Sequence, residues 1–177
     1  MKLNPKRVIY YERYLWDAFI VFAVFLFIYL FIQGFLISSG TVFGRSMENT
    51  YINNDKFVIN KLKYLFTEPK RFNVVQVVAP GEKQLVIKRI VGMPGETVII
   101  KRGSVFIKKD GNEEKIEEPY LNKNKMYTTV GSRQTEPKNF TLKKNEYFVI
   151  GDNRPVSKDS RSYGPVHRNR IVGYVAN

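Results

Sequence analysis

The pattern of apolar and polar positions changes character once along the chain. From Ala18 to Ile37 the segment AFIVFAVFLFIYLFIQGFLI carries no charged residue, and at 1.5 Å per residue a helix of that length spans the roughly 30 Å hydrocarbon core of a bilayer. A transmembrane helix over residues 18–38 is predicted. A core helix would show a polar face, and none exists here. A cleaved leader would have a shorter apolar region and an Ala-x-Ala-like site after it, whereas SSGTVFGRS follows.

Beyond this segment the apolar residues fall into short runs: KFVIN (56–60), NVVQVVA (73–79), QLVIKRIVG (84–92), ETVIIK (96–101), SVFIKK (104–109), EYFVIG (146–151) and RIVGYVA (170–176). They are rich in β-branched and aromatic residues and are broken by Gly and Pro, which predicts antiparallel β structure. Arg102-Gly103 and Asp110-Gly111 tolerate the positive φ of tight hairpin turns. From Asn122 to Lys144 periodicity is lost and Pro137 intervenes, so a long connection or small subdomain is expected. The expected fold class is mainly β: an N-terminal transmembrane helix, then an antiparallel β-sheet domain with a small β-rich insertion. The expected boundaries are a basic tail at 1–17, the helix at 18–38 and the domain at 39–177, with the insertion at 97–145.

Charge adds an orientation. Lys2, Lys6, Arg7 and Arg13 precede the apolar helix, and a basic flank favours the cytoplasmic side, placing residues 39–177 outside the cytoplasm. In the 177-residue chain 29 Lys and Arg outnumber 16 Asp and Glu, a formal +13 that suits contact with phospholipid, a cell-wall polymer or nucleic acid. The basic residues are scattered, however, and a solvated surface is the plainer reading. The absence of cysteine excludes thiol nucleophiles, disulfides and thiolate zinc sites. GMPGE at 92–96 lacks the Lys-Ser/Thr of a phosphate loop. No metal or cofactor is expected.

The candidate chemistry begins at GRSMENT (44–50), where Ser46 sits in a loop. A serine there is ordinarily a turn or capping residue unless a base lies beside it. The only histidine, His167, is flanked by Arg168 and Arg170 and is a poor base. Lys88, in QLVIKRIVG, is the better one if burial makes its amine neutral; otherwise it is an exposed strand lysine. Lys88 and Arg89 should face opposite sides of a strand, one toward an apolar site and the other toward water or a carboxylate. The stretch GDNRPVSKDSR (151–161) packs Asp152, Asn153, Arg154, Ser157, Asp159, Ser160 and Arg161 into eleven residues. Its plain reading is a salt-bridged turn; its functional reading is support for a site, with Ser157 able to hold a neutral amine and Asp159 with Arg161 as a brace.

Taken together, SMENT, KRIVGMPGE and GDNRPVSKDSR resemble, in order, the marked boxes of the type I signal peptidases, membrane-anchored serine peptidases with a Ser-Lys dyad. The resemblance implies Ser46 as nucleophile, Lys88 as general base, Ser157 as the residue orienting the amine, and Asp152, Asp159 and Arg161 as support. It implies that Val42, Met47, Tyr51, Val86 and Ile87, with Gly44 beside them, bind the small side chains of an Ala-x-Ala substrate. Exported preproteins and the lipid bilayer are then the expected partners, with no nucleic acid and a monomeric enzyme. The chain departs from the family at Gly44, where some relatives carry a hydroxyl, at Asn49, where proline is frequent, and at Phe72-Asn73, where Gly-Asp is frequent. Two other readings stay open: a self-cleaving repressor with a similar dyad, which calls for a helix-turn-helix in place of the apolar helix, and a catalytically silent membrane-anchored binding domain.

Overall fold

A computed structural model describes residues 5–81, 84–121, 128–129 and 137–176, with residues 5–12 and 33 described by backbone alone. Lys2 of the basic flank, and residues 122–127 and 130–136 of the expected long connection, lie outside the described residues. The chain divides into two units, Met1–Ser38 and Ser39–Asn177.

The first unit is built on α1 (Pro5–Phe31), continued by one π-helical stretch, Ile32–Leu36. Arg13–Leu36, with a mean hydropathy of 2.6, is long and apolar enough to cross a membrane. The helix begins well before the apolar run because Pro5 suits a first helical turn, where its missing N–H costs nothing. It ends before Ile37, which is already extended. The apolar run therefore overstates the helix at its end: Ile37 and Ser38 belong to strand β1 (Ile37–Thr41).

The second unit is almost wholly antiparallel β. Its strands are β2 (Lys56–Asn60), β3 (Val74–Val78), β4 (Leu85–Gly92), β5 (Thr97–Lys101), β6 (Ser104–Lys109), β7 (Asn112–Lys115), β8 (Lys138–Thr141), β9 (Glu146–Ile150), β10 (Val166–His167) and β11 (Ile171–Ala176). One short helical turn, α2 (Lys63–Phe66), follows β2, and another, α3 (Ser160–Tyr163), follows β9. A seven-stranded sheet runs in the order β1-β2-β11-β3-β4-β9-β10, and a four-stranded sheet in the order β7-β6-β5-β8. The smaller sheet is a double hairpin plus one strand. Arg102-Gly103 and Asp110-Gly111 have φ of +50°, +72°, +49° and +84°, the paired positive values of type I′ turns, whose twist matches that of the flanking strands.

Three apolar clusters fill the space between these elements. Val75, Val77, Ile90 and Val149 lie in the first, under β3, β4 and β9. Val98, Ile100, Val105, Leu142 and Phe148 lie in the second, which joins the small sheet to β4 and β9. Val42, Met47, Tyr51, Phe57, Ile59, Val74 and Val175 form the third, which lies under the loop that carries Ser46.

Gly92 ends β4 where the second cluster is tightest. A Cβ there would stand 2.4 Å from Val98 Cγ2, 2.8 Å from Leu142 Cδ1 and 2.9 Å from Phe148 Cβ. Gly92→Ala is expected to destabilise the domain by about 1–3 kcal/mol through overpacking, measured as a fall in the urea midpoint; an unchanged midpoint would contradict this packing.

Candidate active site

Strand β4 carries consecutive residues to opposite destinations. Lys88 pairs with Val75 across the sheet and Arg89 with Val74, and alternation of side chains separates the two. Lys88 is 2 % exposed, and its Nζ lies 2.7 Å from Ser46 Oγ, across 42 positions of sequence. Arg89 goes to the carboxylate expected of one member of the pair: its Nε and Nη2 donate to Asp152 Oδ1 and Oδ2 at 2.8 and 2.6 Å. This is a bidentate pair with Asp152 fully buried. Burial works against the Arg89 charge, but the hydrogen bonds and charge of Asp152 more than offset it and hold the guanidinium firmly protonated.

The loop holding Ser46 is fixed at several points. Met47 is buried to 1 % exposure beneath it, a burial that stabilises by about 1.5–3 kcal/mol. Met47 O accepts from the N–H groups of Thr50 and Tyr51. Thr50 Oγ1 donates to Asp152 Oδ2, and Arg89 Nη2 reaches Thr50 Oγ1 at 3.2 Å. Asn153 closes the loop from the other side: its backbone N–H donates to Ser46 O at 3.0 Å, and its side-chain amide to Glu48 Oε2 at 2.8 Å. Asn49, at φ +91°, adopts a backbone conformation that a proline ring, locked near −65°, cannot take. The loop thus differs from relatives with proline there. Phe72 at φ +68° likewise occupies a conformation natural to glycine, and its ring packs edge-on to Tyr120.

The 151–161 stretch is braced as expected by Asp159 and Arg161. Arg161 Nε and Nη2 each donate to Asp159 at 2.8 Å, Gly151 N–H donates to Asp159 Oδ2 at 3.0 Å, and Arg161 Nη2 also reaches Arg154 O and Ser157 O. Ser157 departs from expectation. Its Oγ is buried and makes no hydrogen bond among the described residues, so the bond expected between it and the Lys88 amine is absent. The hydroxyl is instead turned against Gly151, where a Cβ would stand 2.2 Å from it.

A cleft of about 570 Å³ opens beside Ser46 and is walled by Val42, Phe43, Met47, Phe57, Val86 and Ile87, with Gly40 and Gln76 also lining it. Of the residues expected to bind substrate, Val42, Met47, Val86 and Ile87 meet there. Tyr51 and Gly44 are not part of the wall. Tyr51 is buried in the cluster below, and Gly44, at φ +87°, gives its N–H to Asn53 Oδ1 at 2.9 Å. His167 is exposed and its Nδ1 lies 2.9 Å from Asn169 Oδ1, where it caps a short 3₁₀ turn rather than serving Ser46.

Sequence reasoning missed one network. Arg154, 2 % exposed, donates from Nε to Gly151 O at 3.1 Å and from its other nitrogens to Glu118 and Thr128 Oγ1. Tyr120 OH donates to Glu118 Oε1 at 2.7 Å, and the Arg89 guanidinium lies 4.1 Å from the centre of the Tyr120 ring. Burial, with the Glu118 charge added, pushes the Tyr120 phenol far above its ordinary range, so it remains a donor. Glu118 and Tyr120 lie just beyond β7, and nothing local marks them as partners of Arg154 and Arg89.

The chain is similar to known proteins over most of its length. The sequence model of one family, described as "Signal peptidase, peptidase S26", matches residues 15–176. The chain is 35 % identical over 143 residues to a protein of Bacillus subtilis named "Signal peptidase I V", covering 76 % of this chain and 80 % of that one. It is 34 % identical over 161 residues to "Signal peptidase IB" of Staphylococcus aureus, covering 85 % and 82 %. Among solved structures, a signal peptidase I from Enterococcus faecalis V583 matches with a TM-score of 0.51 at 30 % identity, over 62 % of this chain and 98 % of that one.

Gly151 offers a direct probe of the site's geometry, since a Cβ there would stand 2.4 Å from the Ser46 carbonyl oxygen as well as against Ser157. Gly151→Ala must displace the serine loop, and a misplacement near 1 Å costs on the order of 10²-fold in rate. Steady-state assays should show that loss in kcat; wild-type turnover would contradict the close approach.

Proposed function

We propose, from the premise that the chain belongs to the signal peptidase (peptidase S26) family, that Ser46 is the nucleophile and Lys88 the general base of its reaction. The enzyme is a serine peptidase that removes signal peptides from preproteins. The observation that carries the residue assignment is the 2.7 Å contact between Lys88 Nζ and Ser46 Oγ, made by a lysine that is 2 % exposed. Burial disfavours the ammonium form and leaves an amine able to take a proton.

In the proposed reaction, neutral Lys88 accepts the Ser46 proton as Oγ adds to the scissile carbonyl carbon. The tetrahedral intermediate collapses with loss of the C–N bond, and Lys88 returns the proton to the departing amine. Water, deprotonated by the same lysine, then hydrolyses the acyl ester. The oxyanion requires donors directed at its final position. The Ser46 backbone N–H makes no hydrogen bond among the described residues and is the donor assigned here; Gly44 supplies no hydroxyl to help it. Asp152, Asp159, Arg161 and Ser157 act through position: the first holds Thr50 and Arg89, the next two hold Gly151, and Ser157 packs against Gly151 beside the serine carbonyl.

The substrate lies extended along the cleft. In an extended peptide the first and third side chains before the cut point the same way, and the cleft walled by Val42, Met47, Val86 and Ile87 admits small ones. This supports cleavage after Ala-x-Ala. The apolar helix serves as a single-pass anchor in the lipid bilayer, with the N-terminus cytoplasmic and the 39–177 peptidase domain outside, acting as a monomer and without nucleic acid. Residues 97–145 form its insertion.

Ser46→Ala and Lys88→Ala are each expected to lower cleavage of an Ala-x-Ala preprotein by detergent-solubilised enzyme by at least about 10³-fold. Gel assay of processed product reads this, and cleavage surviving in either variant would contradict the dyad. A lysine base works only unprotonated, so kcat/KM is expected to rise with pH from acid through mildly alkaline conditions; a flat profile would argue against it.

A further inference from the structure

Among the apolar strand residues that wall the cleft stands one amide, Gln76; Thr41 and Gln84 also line it. Gln76 stands at the centre of β3, a strand whose other four members are valines. It is 9 % exposed, lines the cleft with Phe57 and Ile87, and forms no side-chain hydrogen bond among the described residues. Its amide offers two N–H donors and a carbonyl acceptor, and a buried polar residue left without partners is costly. Neither flank supplies a partner. Across one edge Gln76 pairs with Ile87. Across the other it pairs with Gly173, over which Ile59 packs, 2.6 Å from where a Cβ would stand. A valine, as at the neighbouring positions of β3, would fill this site without an unmet amide. The amide atoms are not sealed from solvent, and the opening available to them is the cleft.

Gln76 lines the same cleft as Ser46, Met47 and Val42. Gly40 lies there against the Phe57 ring, 2.6 Å separating Phe57 Cζ from where a Cβ would stand, and Gln76 pairs across the sheet with Ile87. Gly40 and Val42 are two residues apart, about 7 Å in extended chain. The first and third side chains of an extended substrate are separated by the same interval. With the first side chain placed beside Ser46, the third is placed against the part of the cleft lined by Gly40, Phe57 and Gln76.

We infer that Gln76 makes the third-residue subsite polar, so that this enzyme selects signal peptides bearing a hydroxyl side chain, threonine or serine, three residues before the cut, over apolar side chains of the same size. The inference rests on the assignment of Ser46 and Lys88 as the dyad. An apolar pocket strips water from a hydroxyl and returns nothing, whereas an amide facing it restores the lost hydrogen bond. A site built to bond a hydroxyl discriminates against the analogue lacking it.

Threonine and valine differ by a hydroxyl for a methyl at nearly constant volume, so three quenched-fluorescence peptides suffice, identical except for alanine, threonine or valine at the third position before the cut. Full-length enzyme in detergent micelles is expected to cleave the threonine peptide with a kcat/KM at least about threefold above that of the valine peptide. In Gln76→Leu and Gln76→Met the threonine-to-valine ratio should fall about tenfold, and any loss common to both peptides cancels in it. A wild-type ratio at or below one, or a ratio that both substitutions leave unchanged, overturns the inference. If neither variant folds, the wild-type ratio decides alone. Failure of wild-type enzyme to cut even the alanine peptide above the level of Ser46→Ala overturns the dyad, and the subsite with it.

Discussion

A lysine amine 2.7 Å from a serine hydroxyl can take that hydroxyl's proton only where it is kept from bulk water, and Lys88 is 2 % exposed. The rest of the domain is organised around that constraint. The other buried charges are committed elsewhere: Arg89 to Asp152, Arg154 to Glu118, Arg161 to Asp159 and Arg71 to Glu96. Buried ion pairs of this kind are weak sources of net stability, because desolvation consumes most of the Coulomb gain. Their value here is positional. Arg89 ties the 151–161 stretch to β4, Arg154 ties it to the segment beyond β7 and Arg161 braces it internally, so three of the four pairs converge on the stretch that supports the Ser46 loop.

The sheet makes the convergence possible. Consecutive strand residues diverge, so β4 delivers Lys88 to the serine and Arg89 to the carboxylate that holds Thr50, with one backbone serving both. Gly151 then sets how closely the two loops approach, because any side chain there would occupy the space of the Ser46 carbonyl. The small sheet contributes as well: just beyond β7, Glu118 and Tyr120 reach Arg154 and Arg89. The segment beyond β7 thereby braces the stretch that closes over the Ser46 loop.

Much of this was legible in the sequence where the governing physics is local. KFVIN is β2 to the residue, and the two X-Gly turns fold as type I′ because few other residue pairs accept two positive φ values. Ser46 and Lys88, which the fold brings to 2.7 Å of each other, were singled out through their boxes. What escaped was non-local or unpatterned. β8 is KNFT, largely exposed, and has no alternation to read. β1 follows the apolar helix without a change in hydropathy at Ile37, so the end of the helix was placed too late. Glu118 finds Arg154 across 36 residues, a pairing that no spacing rule gives. Gln76 was hidden inside a valine run and is visible only once the cleft has a wall. Ser157 was found by resemblance, yet its contact with Gly151 rather than with the lysine is a matter of packing.

The most direct test of the central claim is to trap the acyl-enzyme. Enzyme quenched in acid during turnover of an activated peptide ester, digested and analysed by mass spectrometry, should carry the acyl group on the peptide containing Ser46, and Lys88→Ala should accumulate none over the same interval. An adduct on another residue, or acylation of Ser46 at an undiminished rate without Lys88, would contradict the account.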